Sequence, residues 1–473
     1  MEINKHKIKI MSLGLLMIAN LLSAQENVDR DKIAASQSGA SSIYFETAGV
    51  NIPLVEPGNF NHVQECQVRG GLPRFIAKAK TGQAIKVAFI GGSITQANFG
   101  YRLQTANYLE HTYPNAKFKW VNAGVSGTGT ELGAFRIKEQ VLDYRPDLIF
   151  IEFAVNGAYA DGMEGMIRQA IKSNPEVEIC LIYTILNGQT AFYQKNEIPQ
   201  NIVGLEKVAA HYNLLSIQLG MEAASLEASG KLVWKGNPRS VSSDQLLFSE
   251  DGIHPTTAGG SLYAAAIARA LAKMQTVKEP QNSSLPKPLI TSAWDNATMI
   301  DPAKLDIAKN GWQLLTTAEQ PNLKKFSPWF SEVLSANRPE ASFSFRFKGD
   351  MIGLFDIGGP EVGQLEWLID GKPVKLSREK QGSFIYYQTT ESTTPDALNR
   401  FNAYCNNRYR GQFDVLKVPD GIHVVTVKVS AQKANKTEIL PADKRADIQQ
   451  NPAKYDQTVI YLGRILLRGE LLK

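Results

Sequence analysis

Between residues 85 and 275 the chain alternates short apolar runs with longer amphipathic stretches. Residues 86–90 (KVAFI), 118–121 (FKWV), 147–152 (DLIFIE), 177–183 (VEICLIY) and 214–218 (LLSIQ) are compact and apolar, and predict strands. Residues 101–111, 131–142, 163–172 and 202–211 carry apolar side chains at helical spacing, and the alanine-rich stretch 259–274 predicts a closing helix. Strand–helix alternation of this kind predicts an α/β fold, a parallel sheet between two helical layers. Residues 25–84 lack such a pattern and read as a lead-in that packs against this domain.

The texture changes beyond residue 275. Residues 276–287 (TVKEPQNSSLPK) are polar and contain proline, as linkers do. Further on, residues 342–347 (SFSFRF) alternate strictly, 363–370 alternate in part, Asp370-Gly371 is a hairpin-type turn, and 423–430 alternate again. Residues 288–473 therefore predict a second domain of antiparallel strands, most economically a β-sandwich.

Residues 1–24 read as an address. Lys5, His6, Lys7 and Lys9 precede an apolar run over residues 10–22, followed by Ser23, Ala24 and Gln25. That is the pattern of a secretory signal cleaved after Ala24, and the run falls short of the roughly 20 residues a membrane span needs. The expectation is an exported protein, periplasmic or secreted, with no membrane span. Of the formal charge of +5, residues 1–24 contribute +2, leaving +3 for the rest. So small an excess argues against nucleic acid as the main partner. With 43% hydrophobic and 21% charged residues, 473 residues suffice for two globular domains and exclude a disordered chain. Cys66, Cys180 and Cys405 offer neither a disulfide framework nor paired metal-ligand spacing, and read as buried thiols. No metal and no cofactor are expected.

Four short blocks carry the candidate chemistry. Directly after the first strand, Gly91-Gly92-Ser93 presents a serine at the sheet edge, where open α/β sheets place their sites. Taken alone, a capping serine in a plain turn explains it as well, and the glycine spacing of a dinucleotide site is absent. Gly127, after the second strand, can donate its N–H to an oxyanion or simply form a turn. Asn156, after the third, can cap a turn or donate its side-chain amide. In Asp251-Gly-Ile-His254, the aspartate can fold back onto the imidazole Nδ1–H, which leaves Nε2 free to deprotonate a serine. No other histidine of the six has an acidic partner in such a turn.

In this order, Gly91-Gly92-Ser93, Gly127, Asn156 and Asp251-x-x-His254 resemble the four blocks of the SGNH (GDSL-type) hydrolases, over about residues 85–275. The resemblance implies Ser93 as nucleophile, His254 as base and Asp251 as its orienting partner. It also implies an oxyanion hole made of the backbone N–H groups of Ser93 and Gly127 and the side-chain amide of Asn156. Two positions depart from the family's pattern. Gly92 and Gly157 stand where an aspartate is often found, and neither is a triad position. The GGSIT and EFAVN strings are similar to the secreted carbohydrate-esterase side of the family, and residues 349–372 resemble the jelly-roll modules found beside SGNH acetylesterases.

An acylated carbohydrate is the expected substrate, and O-acetyl removal the expected reaction. The alternatives are an O-acyltransferase or lipase-like esterase on the same three residues, or a glycan-binding protein that no longer turns over. Residues 400–410 (RFNAYCNNRYR) combine arginine, asparagine and aromatic side chains, which suits sugar rings and uronate carboxylates but equally suits a loop held by its own hydrogen bonds. Trp312, Trp329 and Trp367 read as core residues.

Overall fold

The computed structural model describes residues 38–274, 285–305, 310–406 and 408–473. Residues 1–24, read as a signal, and most of the 276–287 linker lie outside the described residues. The first sheet contains β1 (Tyr44–Phe45), β2 (Cys66–Gln67), β3 (Ala84–Gly91), β4 (Lys117–Gly124), β5 (Leu148–Glu152), β6 (Glu178–Tyr183) and β7 (Leu215–Gln218), in the order β1-β4-β3-β5-β6-β7-β2. The five inner strands are parallel, while β1 and β2 pair antiparallel at the two edges. The lead-in thus closes both edges of the sheet. Strands β3 and β5 show no inside–outside alternation: Val87, Ala88, Phe89 and Ile90 are buried, as are Ile149, Phe150 and Ile151. A parallel strand covered on both faces has no polar side to display.

The chain runs from β3 to β4 on one side, then crosses back over β3 to reach β5 on the other. Because such crossovers are right-handed, this reversal places successive helices on opposite faces. Helices α1 (Ser93–Gln96) and α2 (Tyr101–Thr112) follow β3, α3 (Thr130–Gln140) follows β4, α4 (Ala160–Ser173) follows β5, and α5 (Thr257–Lys273) closes the domain. Helices α2 and α5 meet where the Gln104 side chain donates to the Thr257 carbonyl at 2.9 Å. On the other face, Gln169 of α4 donates to the Ala134 carbonyl of α3 at 2.9 Å. The reversal opens a crevice at the carboxyl ends of β3 and β5, the usual ligand position in such sheets. A short parallel pair, β8 (Leu232–Lys235) and β9 (Leu246–Ser249), leads into the fourth block.

The strand-rich domain holds β10 (Ala297–Ile300), β11 (Gln313–Thr316), β12 (Glu332–Ala336), β13 (Ser342–Gly358), β14 (Gln364–Ile369), β15 (Lys372–Gln381), β16 (Phe384–Glu391), β17 (Leu398–Asn399), β18 (Arg410–Val429) and β19 (Ile460–Leu472). It differs from two stacked sheets in one respect: its ten strands form one hydrogen-bonded sheet. Strands β13 and β18 are 17 and 20 residues long and run through both layers, bending at a bulge between Gly349 and Met351. Strands β14, β15 and β16 fold back onto β18, which pairs with β14 over its last five residues and with β16 at Leu416 and Lys417. The β16–β18 pairing is parallel, where only antiparallel strands were expected. At the β14–β15 hairpin, Asp370 and Gly371 both have positive φ, +55° and +78°, as a two-residue turn of this kind requires.

From Met351 onward both faces of β13 are buried, whereas Ser344, Arg346 and Lys348 before the bulge are exposed. Phe343, Phe345, Phe347, Ile352 and Leu354 enter a core of the strand-rich domain itself, with Trp312 and Trp367. Met351, Phe355 and Ile357, on the opposite face, belong with Trp329 to a core continuous with that of the α/β domain. Trp294 stands at the junction, its ring 5.5 Å from Phe135, 5.9 Å from Tyr159 and 5.4 Å from Phe384. Arg464 of β19 donates to Glu139 of α3 at 2.7 to 3.1 Å. Apolar burial plus a bidentate ion pair joins the two domains.

Candidate active site

Ser93 is the first residue of α1, immediately beyond β3, and is 4% exposed. Its Oγ lies 2.8 Å from His254 Nε2, and His254 Nδ1 lies 2.6 Å from Asp251 Oδ2. The other carboxylate oxygen, Oδ1, accepts from the backbone N–H of Ile253 and of His254, both at 2.8 Å, and from Ser249 Oγ at 3.1 Å. Burial pushes the Asp251 carboxyl up, but the bonds from the His254 ring and from the two N–H groups outweigh it and hold the group well below the usual carboxylate range. Gly252, at φ +86°, makes the turn that folds the aspartate back. Position of the turn is fixed by Thr256, which caps α5 through Gly259 N and donates to the Leu247 carbonyl.

The other described histidines are placed differently. His423 has both ring nitrogens occupied, by Asp370 at 2.9 Å and by the Pro419 carbonyl at 2.8 Å. His211 Nε2 meets the Lys287 carbonyl, and His62 Nδ1 accepts from Gln64 N.

Asn156 follows β5, and its amide lies over Gly92: a Cβ built on Gly92 would stand 2.5 Å from Asn156 Nδ2. Glycine at 92, one of the two departures from the family's pattern, thus leaves room for the amide beside Ser93. Gly127 lies in the loop after β4 with φ +74°, where glycine fits without strain. That loop is tied to the serine turn twice, by Val125 N to the Gly91 carbonyl at 3.0 Å and by Ser126 N to Gln96 Oε1 at 2.6 Å. The five residues singled out from the sequence therefore gather at the carboxyl edge of β3, β4 and β5.

Several supporting groups escape a reading of the sequence alone. Glu152, buried at the end of β5, accepts from Thr184 at 2.6 Å and from Thr95 of α1 at 2.9 Å. Thr95 in turn shares a hydrogen bond with Tyr101 at 2.8 Å. Burial pushes the Glu152 carboxyl up, and the bonds from Thr184 and Thr95 offset part of that. The one available signal was an ionisable residue closing an apolar strand. Glu131 is buried beside Gly129 and Gly157, and desolvation pushes it up to about 8. Arg410, from the far end of the chain, places its guanidinium against Gly127.

A hydroxyl bonded to an imidazole whose second nitrogen is held by a carboxylate can lose its proton as it attacks a carbonyl. N–H groups beside the attacked carbonyl can carry the negative charge that develops. Among the described residues, no group of three or more histidine, cysteine, aspartate or glutamate side chains is placed to hold a metal ion. All three cysteines are free and buried.

Residues 89–262 match the model of the GDSL-like lipase/acylhydrolase family. The chain carries a GDSL-like lipase/acylhydrolase domain. The serine turn, Gly127, Asn156 and the histidine block all fall within the matched span. A two-domain esterase active on acetylated mannans, co-crystallised with mannopentaose, is similar over 85% of this chain and 95% of its own, with a TM-score of 0.61 and 20% identity. A second structure of a two-domain esterase active on acetylated mannans gives 0.59 and 20%, over 86% and 97%. At that identity the likeness is one of fold, and it extends over both domains of the chain. No curated protein matches the sequence significantly.

Proposed function

We propose that this protein is an exported serine esterase that removes O-acetyl groups from polysaccharide or oligosaccharide, with Ser93 as nucleophile, His254 as base and Asp251 as its orienting carboxylate. The observation that carries the reading is the unbroken series Ser93 Oγ, His254 Nε2 and Nδ1, Asp251 Oδ2, at 2.8 and 2.6 Å. Ser93 Oγ attacks the ester carbonyl carbon while His254 Nε2 takes its proton. The tetrahedral oxyanion is held by the N–H groups of Ser93 and Gly127 and the Asn156 amide. Collapse breaks the bond to the sugar oxygen, which leaves with the proton from His254. Water, deprotonated by His254, then releases acetate from Ser93.

An acylated carbohydrate as substrate is supported by the fold shared with esterases active on acetylated mannans. Export rests on the basic head and apolar run of residues 1–24. Release of acetate from a panel of acetylated polysaccharides, run beside a chromogenic acetyl ester, tests the reading. Acetate from one or more polymers supports it. Hydrolysis of the small ester alone points to a lipase-like esterase, acetyl transfer to a second sugar points to a transferase, and glycan binding without turnover points to a binding protein.

A further inference from the structure

The arginine- and tyrosine-rich run over residues 400–410 divides into two halves with different surroundings. Arg400 is buried and neutralised: its guanidinium bonds Asp356 at 2.5 and 3.0 Å and also Asp414. Asn399 and Asn402 close local turns, and Cys405 is buried. This half is structural.

Arg410 is not. A Cβ built on Gly127 would lie 2.4 Å from Arg410 Nη2, so the guanidinium packs directly on the loop that also carries one of the proposed oxyanion donors. Among the described residues the guanidinium makes no hydrogen bond or ion pair, and its one side-chain partner is the Tyr404 ring, 4.7 Å from Cζ. A second cation, Lys444, lies 5.9 Å from the same Tyr404 ring. Tyr404 itself is 57% exposed. A partly buried guanidinium without an anion keeps a desolvation cost that a bound anion would offset, and its planar fork matches a carboxylate bidentately. An open aromatic face beside it suits the apolar face of a sugar ring.

Building on the proposed esterase reading, we infer that Arg410 and Tyr404 form an acidic-sugar subsite, contributed by the strand-rich domain, that binds the carboxylate of a uronic acid in the acylated glycan next to Ser93. The substrate class is thereby an acetylated glycan bearing uronate residues, with the neutral backbone sugars held elsewhere.

Binding to the full chain, titrated calorimetrically with trigalacturonate and with mannotriose, tests this without relying on ester cleavage. The wild type is expected to bind the uronate trimer at least about ten-fold more tightly than the neutral one, with that preference shrinking as salt rises. Arg410→Gln should bring the ratio close to one, and Arg410→Lys, which keeps the charge but loses the fork, should retain part of it. A wild type without preference for the uronate overturns the proposal, as does a preference that Arg410→Gln leaves intact. Equal loss of both trimers in that variant overturns it too. Should Arg410→Gln fail to fold, the wild-type preference, its salt dependence and the lysine variant still decide. If the wild type binds the uronate but releases no acetate from any glycan, the esterase reading fails and the subsite stands.

Discussion

Asp251 holds His254 twice, accepting its ring Nδ1–H at 2.6 Å with one oxygen and its backbone N–H at 2.8 Å with the other. One carboxylate therefore fixes both the tautomer and the position of the ring that faces Ser93. Replacing it with asparagine keeps the size but exchanges the oxygen that faces Nδ1 for an NH2 donor. Asp251→Asn is expected to lower kcat by about 10⁴ through the wrong tautomer. Ser93→Ala should cost a similar factor or more, on the order of 10⁴ to 10⁶. Steady-state rates on a chromogenic acetyl ester, with melting temperatures on the same preparations, check both. A Ser93→Ala protein that retains a tenth of the activity rules out the serine as nucleophile.

Asn156 and Gly92 form a second coupled pair. If the Asn156 amide is an oxyanion donor, Asn156→Ala lowers kcat by about 10²–10³ and moves KM much less. Gly92→Ala should reproduce part of that loss, because its methyl occupies the place of Nδ2. Gly92 has φ −87°, outside the left-handed region that favours glycine. A pair of variants that melt early but keep normal specific activity assigns Asn156 to the turn alone.

Glu131 makes stability depend on pH in the direction opposite to an ion-paired carboxylate. Desolvation raises its pKa from 4.5 to about 8, and one of its oxygens has no hydrogen-bond partner. Between those values the folded chain keeps a proton that the unfolded chain has released, so stability falls as pH rises through that window. The amount is on the order of a few kcal/mol. Glu131→Gln should flatten the decline and melt above the wild type at pH 8 and beyond. Melting curves from pH 5 to 9 for the two proteins provide the comparison, and parallel curves reject the assignment.

What could be read from the sequence was local or periodic. The apolar runs at 86–90 and 147–152 show up because a doubly covered strand has no polar side, and Ser93, Asn156 and His254 because they directly follow strands or precede a helix. Asp370-Gly371 announced its turn by needing two positive φ angles. Two-residue strands such as Tyr44–Phe45 and Cys66–Gln67 are too short to show a period, so the sheet edges were not legible. Nor was the meeting of Arg410 with Gly127, since nothing in either neighbourhood encodes a partner almost 300 residues away. The Trp294–Phe384 contact fails for the same reason.

Removal of residues 288–473 distinguishes a brace from a carrier of substrate. Phe135 and Tyr159 of the α/β domain are buried, and Trp294 and Phe384, which cover them, would be lost. The Arg464–Glu139 pair would go as well. A face of that kind left open to water favours aggregation. The truncated chain is therefore expected to be poorly soluble or to melt well below the full-length protein. Any soluble fraction should lose rate on a small acetyl ester, because the Gly127 loop loses the guanidinium packed on it. The loss should be larger on an acetylated polymer, which also draws on contacts remote from the reacting carbonyl. Solubility, melting temperature and kcat/KM on both substrates read the outcome. A soluble truncation with unchanged rates on both would show that the strand-rich domain neither braces the catalytic domain nor binds the glycan.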